Sequence, residues 1–218
     1  AILIELNTGE IFYEKNIHKR LSPASMTKIL STHLVIDALE KGQIKMTDIA
    51  TVSAHAAGYG GSQVWLETGE QMSVEDLFKC MVIVSANDAT VALAELVAGS
   101  EELFVERMNS RVQELGLQNT VFIDPTGLSD FEEGHYSSAY DMAMLARDLL
   151  LNYEKKVTEY SKIYEDYIRK DTEKPFWLVN TNKLVRYVPG IDGLKTGWTR
   201  SAGYNLTATM KKDNMRLI

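Results

Sequence analysis

The sequence contains a single cysteine, Cys80, so no disulfide can form within the chain. Its four histidines are scattered and share no metal-ligand spacing with that cysteine, so we expect no metal centre and no cofactor. No apolar run approaches the roughly 20 residues that a membrane-spanning helix needs. The net charge of -7 argues against nucleic acid as a partner.

The remaining composition is that of an ordinary globular protein. Of the 218 residues, 45% are hydrophobic and 24% are charged, which is enough to bury one sizeable core. Residues 1–6 resemble a strand and not an export signal, so we expect no signal peptide in this chain. Any attachment to a membrane would then depend on segments outside the chain.

One stretch, residues 22–39, organises the chain. Ser22 is a candidate N-cap, and Pro23 suits the first helical position, where a backbone N–H would be unpaired anyway. Apolar residues then recur with a period near 3.6, and Gly42 follows as a candidate left-handed cap. The pattern predicts a helix over about 23–40 with one broad apolar face.

Ser25 and Lys28 are three residues apart in the first turns of this predicted helix, so their side chains share a face. The N–H of Ser25 is among the first four of the helix, which have no intrahelical acceptor. A hydroxyl, an amine and a free N–H at the positive end of a helix dipole suit covalent acyl transfer. The amine must be neutral to act as a base, and burial or a second cation would lower its pKa. One Ser-x-x-Lys pair is expected by chance in about this length of chain, so the pair alone does not establish catalysis.

Strand patterns lie at both ends of the chain. Residues 2–6 and 10–14 predict a β-hairpin that turns at Gly9, which suits a positive φ. Near the other end, residues 193–199 and 204–210 alternate and predict adjacent strands, and a third strand begins at residue 215. Extended chain is also predicted for residues 176–179 and 184–188.

Helix start and stop signals fill the middle of the chain. They predict helices over about residues 73–84, 89–98, 101–115 and 138–153. We therefore expect an α/β (α+β) fold, in which an antiparallel sheet built from both chain ends packs against helices that also form a lobe.

Two further short motifs each occur once. Ser85-Ala86-Asn87 lies in the break between two predicted helices, and side chains at such a break can project into a cleft. Lys195-Thr196-Gly197 lies in a predicted strand. Each has an ordinary structural interpretation, since serine caps helices, asparagine forms turns, and lysine or glycine can lie on an exposed or bulged strand. The ordered set of Ser-x-x-Lys, Ser-x-Asn and Lys-Thr-Gly is far more specific than any member of it.

With these motifs the chain resembles the low-molecular-weight penicillin-binding proteins, in particular the serine-type D-alanyl-D-alanine carboxypeptidases. The resemblance runs along essentially the whole chain, through residues 4–10, 84–89, 136–143 and 180–204. It implies a β-lactamase/transpeptidase-like fold and removal of the terminal D-alanine from peptidoglycan pentapeptide stems through a serine acyl-enzyme. Peptidoglycan stem peptides and β-lactam antibiotics, which act as covalent inhibitors, are the partners it implies.

The resemblance also implies a role for each matching residue. Ser25 is the nucleophile, Lys28 the general base, and Ser85 the group that passes a proton to the leaving amine. The backbone N–H of Trp198 completes an oxyanion hole with that of Ser25. The residues implied for substrate binding are Asn87, Lys195, Thr196, Gly197 and Trp198.

The chemistry of the binding residues suits these roles. Asn87 offers both a donor and an acceptor to a substrate amide. Lys195 attracts the substrate carboxylate and its charge keeps Lys28 neutral, while the Thr196 hydroxyl also faces the carboxylate. Gly197 allows the substrate backbone to approach the edge of the strand.

Three alternatives remain open at this point: a β-lactamase, a serine hydrolase of another substrate class such as an esterase, and a catalytically silent module that binds peptidoglycan. A class A β-lactamase needs a glutamate that activates the deacylating water, typically in a Glu-x-x-x-Asn segment. No glutamate of this chain has an asparagine four residues later, which favours slow hydrolysis of penicillin. Intact Ser25, Lys28, Ser85 and Lys195 argue against the silent module.

The resemblance implies a larger protein around this chain. The family's catalytic domain normally begins before residue 1 and continues past residue 218, so we expect residues 1–218 to be a catalytic domain without its N- and C-terminal extensions. The implied location is outside the cytoplasm, on the outer face of the bacterial cytoplasmic membrane, with the membrane reached only through segments not in this chain.

The remaining candidate residues favour structural interpretations. His135 is expected at the surface, although it could reach the cleft, and Trp65 and Trp177 are expected in core or lobe packing. Gly58–Ser62 could line a cleft, but a flexible connection is the default expectation. Asp124-Pro125-Thr126-Gly127-Leu128 is expected to form a turn.

Overall fold

A computed structural model of the chain describes residues 1–129, 131 and 133–218. Its strands are β1 Ile2–Ile4, β2 Ile11–Glu14, β3 Ile49–Thr51, β4 Gln71–Ser73, β5 Glu165–Ile168, β6 Phe176–Val179, β7 Ile191–Thr199, β8 Gly203–Lys212 and β9 Met215–Leu217. Its helices are α1 Lys28–Glu40, α2 Ala54–Ala57, α3 Val74–Ile83, α4 Asn87–Ala98, α5 Glu101–Glu114, α6 Ala139–Ser161 and α7 Leu184–Tyr187. No helix among these residues is both long and apolar enough to cross a membrane.

The two ends of the chain meet in one antiparallel sheet, as the sequence predicts. β7, β8 and β9 pair in that order, and β1 pairs with β2. Backbone bonds join the two groups, because Ile4 and Ile218 exchange N–H···O=C bonds of 3.0 Å and the Leu6 N–H donates to the Arg216 carbonyl at 2.9 Å. The spatial order is therefore β2-β1-β9-β8-β7, which leaves β7 at the edge where the Lys-Thr-Gly motif lies.

Helix α1 lies in the centre of the molecule. Its buried residues run almost continuously from Lys28 to Ile36 and include Ser31, Thr32 and His33. It contacts α3, α4, α5, α6 and β7, so every side of it is covered by another element. The sequence predicts one apolar face for this helix, whereas the structure buries it on all sides.

Local signals place the other helix ends. The Ser73 hydroxyl caps α3 by accepting from the Asp76 N–H, and Gly99 ends α4 with a φ of +92°. Gly116 follows α5 with a φ of +68°. These helix ends were predicted from the sequence, because a capping hydroxyl and a glycine with positive φ act on backbone groups within one helical turn of their own position.

Other predictions were wrong. Ser22 does not cap a helix: its Oγ accepts from the Phe131 N–H at 2.8 Å, and a turn of 3-10 helix, Ala24–Thr27, precedes α1. Helix α6 continues to Ser161 across a kink at Tyr153, eight residues beyond its predicted end. Residues 184–187 form the short helix α7 where the sequence predicts extended chain, and the small β3–β4 pair was not predicted.

Candidate active site

The Ser-x-x-Lys motif lies at the junction of the 3-10 turn and α1. Ser25 is in the turn, and Lys28 is the first residue of the α-helix. Ala24 has a φ of +50°, which is uncommon for a residue with a side chain and places the turn at a sharp bend. The Lys28 Nζ lies 3.2 Å from the Ser25 Oγ, so the two side chains that the spacing places on one face are in hydrogen-bond contact.

Lys28 is fully buried and has two further hydrogen-bond acceptors. Its Nζ lies 2.6 Å from the Asn87 Oδ1 and 2.8 Å from the backbone carbonyl oxygen of Thr126. The Asn87 amide is oriented by its other end, because its Nδ2 donates to the Gly60 carbonyl at 2.8 Å. The Ser-x-x-Lys motif, the Ser-x-Asn motif and the segment 124–128, for which the sequence predicts only a turn, therefore all contribute contacts to the Lys28 amine.

The number of hydrogens on Lys28 fixes the direction of its lone pair. A neutral amine has two hydrogens and one lone pair, whereas amide and backbone carbonyl oxygens can only accept. The Asn87 and Thr126 oxygens take the two hydrogens, so the lone pair is left for the Ser25 hydroxyl. The neutral form of Lys28 is in this way directed to accept the Ser25 proton, which is the geometry that a general base needs.

Electrostatics favours this neutral form. Burial lowers the pKa of Lys28 well below its usual value, and the charge of Lys195 lowers it further, while Asp124 and Asp88 act in the opposite direction. Burial lowers the pKa of Lys195 to about 7. Burial and the nearby cation therefore both favour the neutral amine that a general base needs.

The Lys-Thr-Gly motif lies on β7, directly against the 3-10 turn. A Cβ added to Gly197 would lie 2.8 Å from the Pro23 carbonyl oxygen and 3.1 Å from the Met26 nitrogen, so only glycine fits between strand and turn. The Lys195 side chain is buried, and its Nζ donates to the Thr196 carbonyl at 2.9 Å.

The two neighbours of Gly197 are more accessible. The Thr196 hydroxyl donates to the Thr181 hydroxyl at 2.6 Å. The Trp198 side chain is 59% exposed, and its ring lies 6.2 Å from that of Tyr204 on the neighbouring strand. The side chains of residues 196 and 198 are thus available at the edge of the sheet beside the buried Lys195.

Ser85 occupies the break between α3 and α4 and has a φ of +64°. Its Oγ is buried and has no hydrogen-bond partner among the residues that the structure describes. No hydrogen bond within that part of the chain links Ser85 to Lys28. A buried hydroxyl without a partner is costly, so its O–H is a group that a ligand could satisfy.

The Gly58–Ser62 segment packs over Asn87 and is not only a connection. In addition to the Gly60 carbonyl, the Ser62 carbonyl accepts from the Asn87 N–H at 2.6 Å. A Cβ on Gly61, which has a φ of +79°, would lie 2.6 Å from the Asn87 Nδ2. This close approach requires glycine, and it fixes the amide that contacts Lys28.

Sequence reasoning missed the importance of the 124–129 loop. The buried Asp124 carboxylate accepts from the backbone N–H groups of Thr126, Gly127 and Ser129 at 2.6, 2.7 and 2.9 Å. The Asp-Pro-Thr-Gly composition signals a turn, but the contact of the Thr126 carbonyl with Lys28 joins residues 98 positions apart and has no local signal.

Three side chains lie where the sequence did not place them. His135, expected at the surface, is fully buried, and its Nε2 lies 2.8 Å from the Thr27 Oγ1. Trp65 and Trp177, expected in core or lobe packing, are 70% and 54% exposed. Among the described residues no group of three His, Cys, Asp or Glu side chains is arranged to hold a metal ion.

Comparison with known proteins gives a consistent result. The family model described as "D-alanyl-D-alanine carboxypeptidase" matches residues 1–218. The chain is 56% identical over 218 residues to the D-alanyl-D-alanine carboxypeptidase DacF of Bacillus subtilis, covering 100% of this chain and 55% of that protein. The chain spans about half the length of the curated relatives it matches.

Solved structures resemble the whole described fold. Penicillin-binding protein 5 from Haemophilus influenzae superposes with a TM-score of 0.90 at 37% identity, covering 99% of this chain and 62% of that chain. Penicillin-binding protein D2 from Listeria monocytogenes, in its ampicillin-bound form, superposes with a TM-score of 0.85 at 27% identity, covering 99% of this chain and 85% of that chain.

Proposed function

The chain belongs to the D-alanyl-D-alanine carboxypeptidase family, and from that premise we propose that it removes the terminal D-alanine from peptidoglycan stem peptides through an acyl-enzyme on Ser25. The observation that carries the proposal is the contact between the Lys28 Nζ and the Ser25 Oγ at 3.2 Å. The fully buried amine directs its lone pair at that hydroxyl. A serine activated by an adjacent neutral base is the arrangement that nucleophilic catalysis needs.

The proposed acylation begins at the carbonyl carbon of the penultimate D-alanine. The Ser25 Oγ attacks this carbon while its proton passes to the Lys28 Nζ, and the oxyanion that forms is held by the backbone N–H groups of Ser25 and Trp198. The C–N bond to the terminal D-alanine then breaks. The departing nitrogen takes up the proton, relayed by the Ser85 hydroxyl, and an ester on Ser25 remains.

Hydrolysis of the ester repeats the same proton transfers with water. Lys28 takes a proton from the attacking water, the bond between the Ser25 Oγ and the acyl carbon breaks, and Ser25 regains its proton. The peptide, shortened by one D-alanine, is released with a new carboxylate. Ser25 and Lys28 thus end the cycle as they began it.

The same proposal gives the remaining residues of the three motifs a role in binding the substrate. Asn87 contacts Lys28 through its Oδ1 and Gly60 through one Nδ2 hydrogen, so the second Nδ2 hydrogen is the one proposed for the substrate backbone. Lys195 and the Thr196 hydroxyl at the edge of β7 bind the terminal carboxylate. Gly197 lets the substrate backbone approach that edge closely.

The carboxylates around Lys28 support slow release of a penicilloyl ester. Asp88 accepts from the N–H groups of Val64, Leu66 and Ala89, and Asp124 is occupied in the same way. Their use in these hydrogen bonds argues against either carboxylate as the base that activates a deacylating water. A penicillin that acylates Ser25 is therefore proposed to remain attached, which makes β-lactams inhibitors and not substrates.

The proposed location is outside the cytoplasm, on the outer face of the bacterial cytoplasmic membrane, because the peptidoglycan stem peptides that the reaction consumes are found there. The names of the relatives, a D-alanyl-D-alanine carboxypeptidase and penicillin-binding proteins, support this proposal.

Intact mass measured after a brief incubation with benzylpenicillin tests the nucleophile. We expect one adduct per chain, no adduct on Ser25→Ala, and an undiminished adduct on Ser110→Ala, a control serine on the exposed side of α5. An adduct that persists in Ser25→Ala would refute the assignment.

Two further readouts separate the alternatives. Consumption of penicillin without an accumulated adduct would indicate a β-lactamase. Rapid cleavage of a p-nitrophenyl ester, with no D-alanine released from a D-Ala-D-Ala peptide, would indicate an esterase. Lack of both adduct and turnover would indicate a silent binding module, whereas release of D-alanine together with a stable adduct is the expected result.

A further inference from the structure

A loop outside the three motifs holds the proposed base in place. We infer that Asp124 is a positioning residue: its carboxylate shapes the 124–129 loop so that the Thr126 carbonyl takes one hydrogen of Lys28 and leaves the lone pair facing Ser25. The inference rests on the proposed function, because it concerns the base of that reaction.

The Asp124 carboxylate organises the loop from inside. Its Oδ1 accepts from the Thr126 N–H, the Thr126 hydroxyl and the Gly127 N–H at 2.6, 2.6 and 2.7 Å, and its Oδ2 accepts from the Ser129 N–H at 2.9 Å. With its N–H and hydroxyl both directed at Asp124, Thr126 presents its carbonyl to Lys28 at 2.8 Å. A carboxylate that accepts several backbone N–H groups sets the backbone direction of a short loop.

The same loop is packed against the nucleophile turn. Gly127 has a φ of +77°, and a Cβ there would overlap the carbonyl oxygen of Ala24 and lie 2.7 Å from the Thr27 Oγ1. One turn further along α1, the Ser31 hydroxyl donates to the Pro125 carbonyl at 2.6 Å. The loop is therefore held against the segment that carries both Ser25 and Lys28.

His135 completes the connection from the other side. Its Nδ1 accepts from the Ile123 N–H at 3.2 Å, so the proton of the neutral ring is on Nε2, which donates to the Thr27 Oγ1 at 2.8 Å. The Nδ1 also lies 3.6 Å from the Asp124 Oδ2. Burial lowers the pKa of His135, which keeps the ring neutral and this direction of hydrogen bonding in place. Thr27, between nucleophile and base, is thus tied to the residue before Asp124.

The charge of Asp124 acts on the pKa of Lys28, so its removal has a measurable effect that the loss of a merely structural residue would not have. Burial alone would raise the pKa of Asp124, yet the hydrogen bonds from Thr126 and Ser129 hold it below its usual value, so the group is ionised near neutral pH. The charged groups that act on the pKa of Lys28 are Asp124 in the loop, Asp88 on α4 and Lys195 on β7, while the neutral ring of His135 lies beside Asp124. Removing the negative charge of Asp124 lowers the pKa of Lys28.

The experiment measures the rate of Ser25 acylation by a fluorescent penicillin as a function of pH, per folded molecule. In Asp124→Asn, which keeps one acceptor oxygen, we expect the acid limb of the profile to move to lower pH. In Asp124→Ala, which removes the carboxylate and every hydrogen bond to it, we expect the rate to fall by about 10²-fold, because a base displaced by about 1 Å loses that much. The fraction folded is taken from circular dichroism at each pH.

A matched control is Asp141→Asn. Asp141 is equally buried and accepts from the Asn119 N–H and the Thr120 hydroxyl, both at 2.8 Å, but it does not act on Lys28. We expect this variant to lower the melting temperature while leaving the acid limb and the rate per folded molecule unchanged.

The possible outcomes distinguish failure of the positioning role of Asp124 from failure of the proposed function. If both Asp124 variants lose only melting temperature, as Asp141→Asn does, and keep the original acid limb and rate, Asp124 is a folding residue and the inference is overturned. If the unmodified chain is not acylated at all, the proposed function fails first and the inference fails with it. A shifted limb in Asp124→Asn, together with a slowed Asp124→Ala, supports the inference.

Discussion

Replacing Gly127 with alanine places one methyl group where the nucleophile turn and the 124–129 loop touch. Its φ of +77° lies in the left-handed region, which costs an L-residue about 1–2 kcal/mol. The new Cβ would also overlap the Ala24 carbonyl oxygen, and overpacking of this kind costs about 1–3 kcal/mol more. We therefore expect the free energy of unfolding to fall by about 2–5 kcal/mol.

Gly116→Ala separates these two contributions. Gly116 also has a positive φ, +68°, but a Cβ there meets nothing within 4 Å. Only the conformational contribution remains, so the free energy of unfolding should fall by about 1–2 kcal/mol. The difference between the two variants measures the contact of Gly127 with the backbone of the turn.

Urea denaturation followed by circular dichroism is the assay for stability. With a slope of about 2–3 kcal/mol per molar urea, a loss of about 3 kcal/mol lowers the midpoint by about 1 M. Acylation by penicillin is measured in parallel, per folded molecule. Because the methyl group displaces Ala24 next to Ser25, we expect Gly127→Ala to be acylated about 10²-fold more slowly and Gly116→Ala at the original rate.

Equal losses of stability in the two variants would show that the contact with Ala24 contributes nothing and that only φ matters. An unchanged acylation rate in Gly127→Ala would refute the argument that the loop sets the position of the nucleophile turn. The first result would contradict the packing argument, and the second would contradict the argument about the active site.

Two further predictions concern the charge of the cleft and the core. Lys195→Gln removes the cation that lowers the pKa of Lys28, so the acid limb of the acylation profile should move to higher pH, opposite to the shift in Asp124→Asn; an unmoved limb would contradict the coupling. Phe78 is fully buried, with its ring centroid 5.0 Å from that of Tyr160, so Phe78→Ala should lower the free energy of unfolding by about 3–5 kcal/mol in urea denaturation. Phe12, 46% exposed on β2, is the control, and its change to alanine should alter stability far less.

Features that the sequence determined by itself depend on short stretches of chain. The hairpin around Gly9, the Ser73 cap and the glycines after α4 and α5 were predicted and are found in the structure. The spacing of Ser25 and Lys28 also indicated that their side chains share a face, but their hydrogen-bond distance was set by the 3-10 turn that carries Ser25 and by the groups around Lys28. The ordered motifs also identified the family that the comparison shows.

Only the tertiary structure decided the features that depend on distant residues. Local propensity did not place α7 or the end of α6, since packing against other elements overrides it. His135 is a polar residue in a loop, and nothing near it in sequence shows that Thr27, 108 positions away, binds it in the interior.

The second acceptor of Lys28 shows the same limit at the centre of the site. The Thr126 oxygen is a backbone atom that every residue type carries, so its role cannot be recognised from residue identity. Sequence identifies which side chains can do the chemistry. The fold alone decides which groups surround them, and here the Thr126 carbonyl and the Asn87 amide oxygen together leave the lone pair of Lys28 for Ser25.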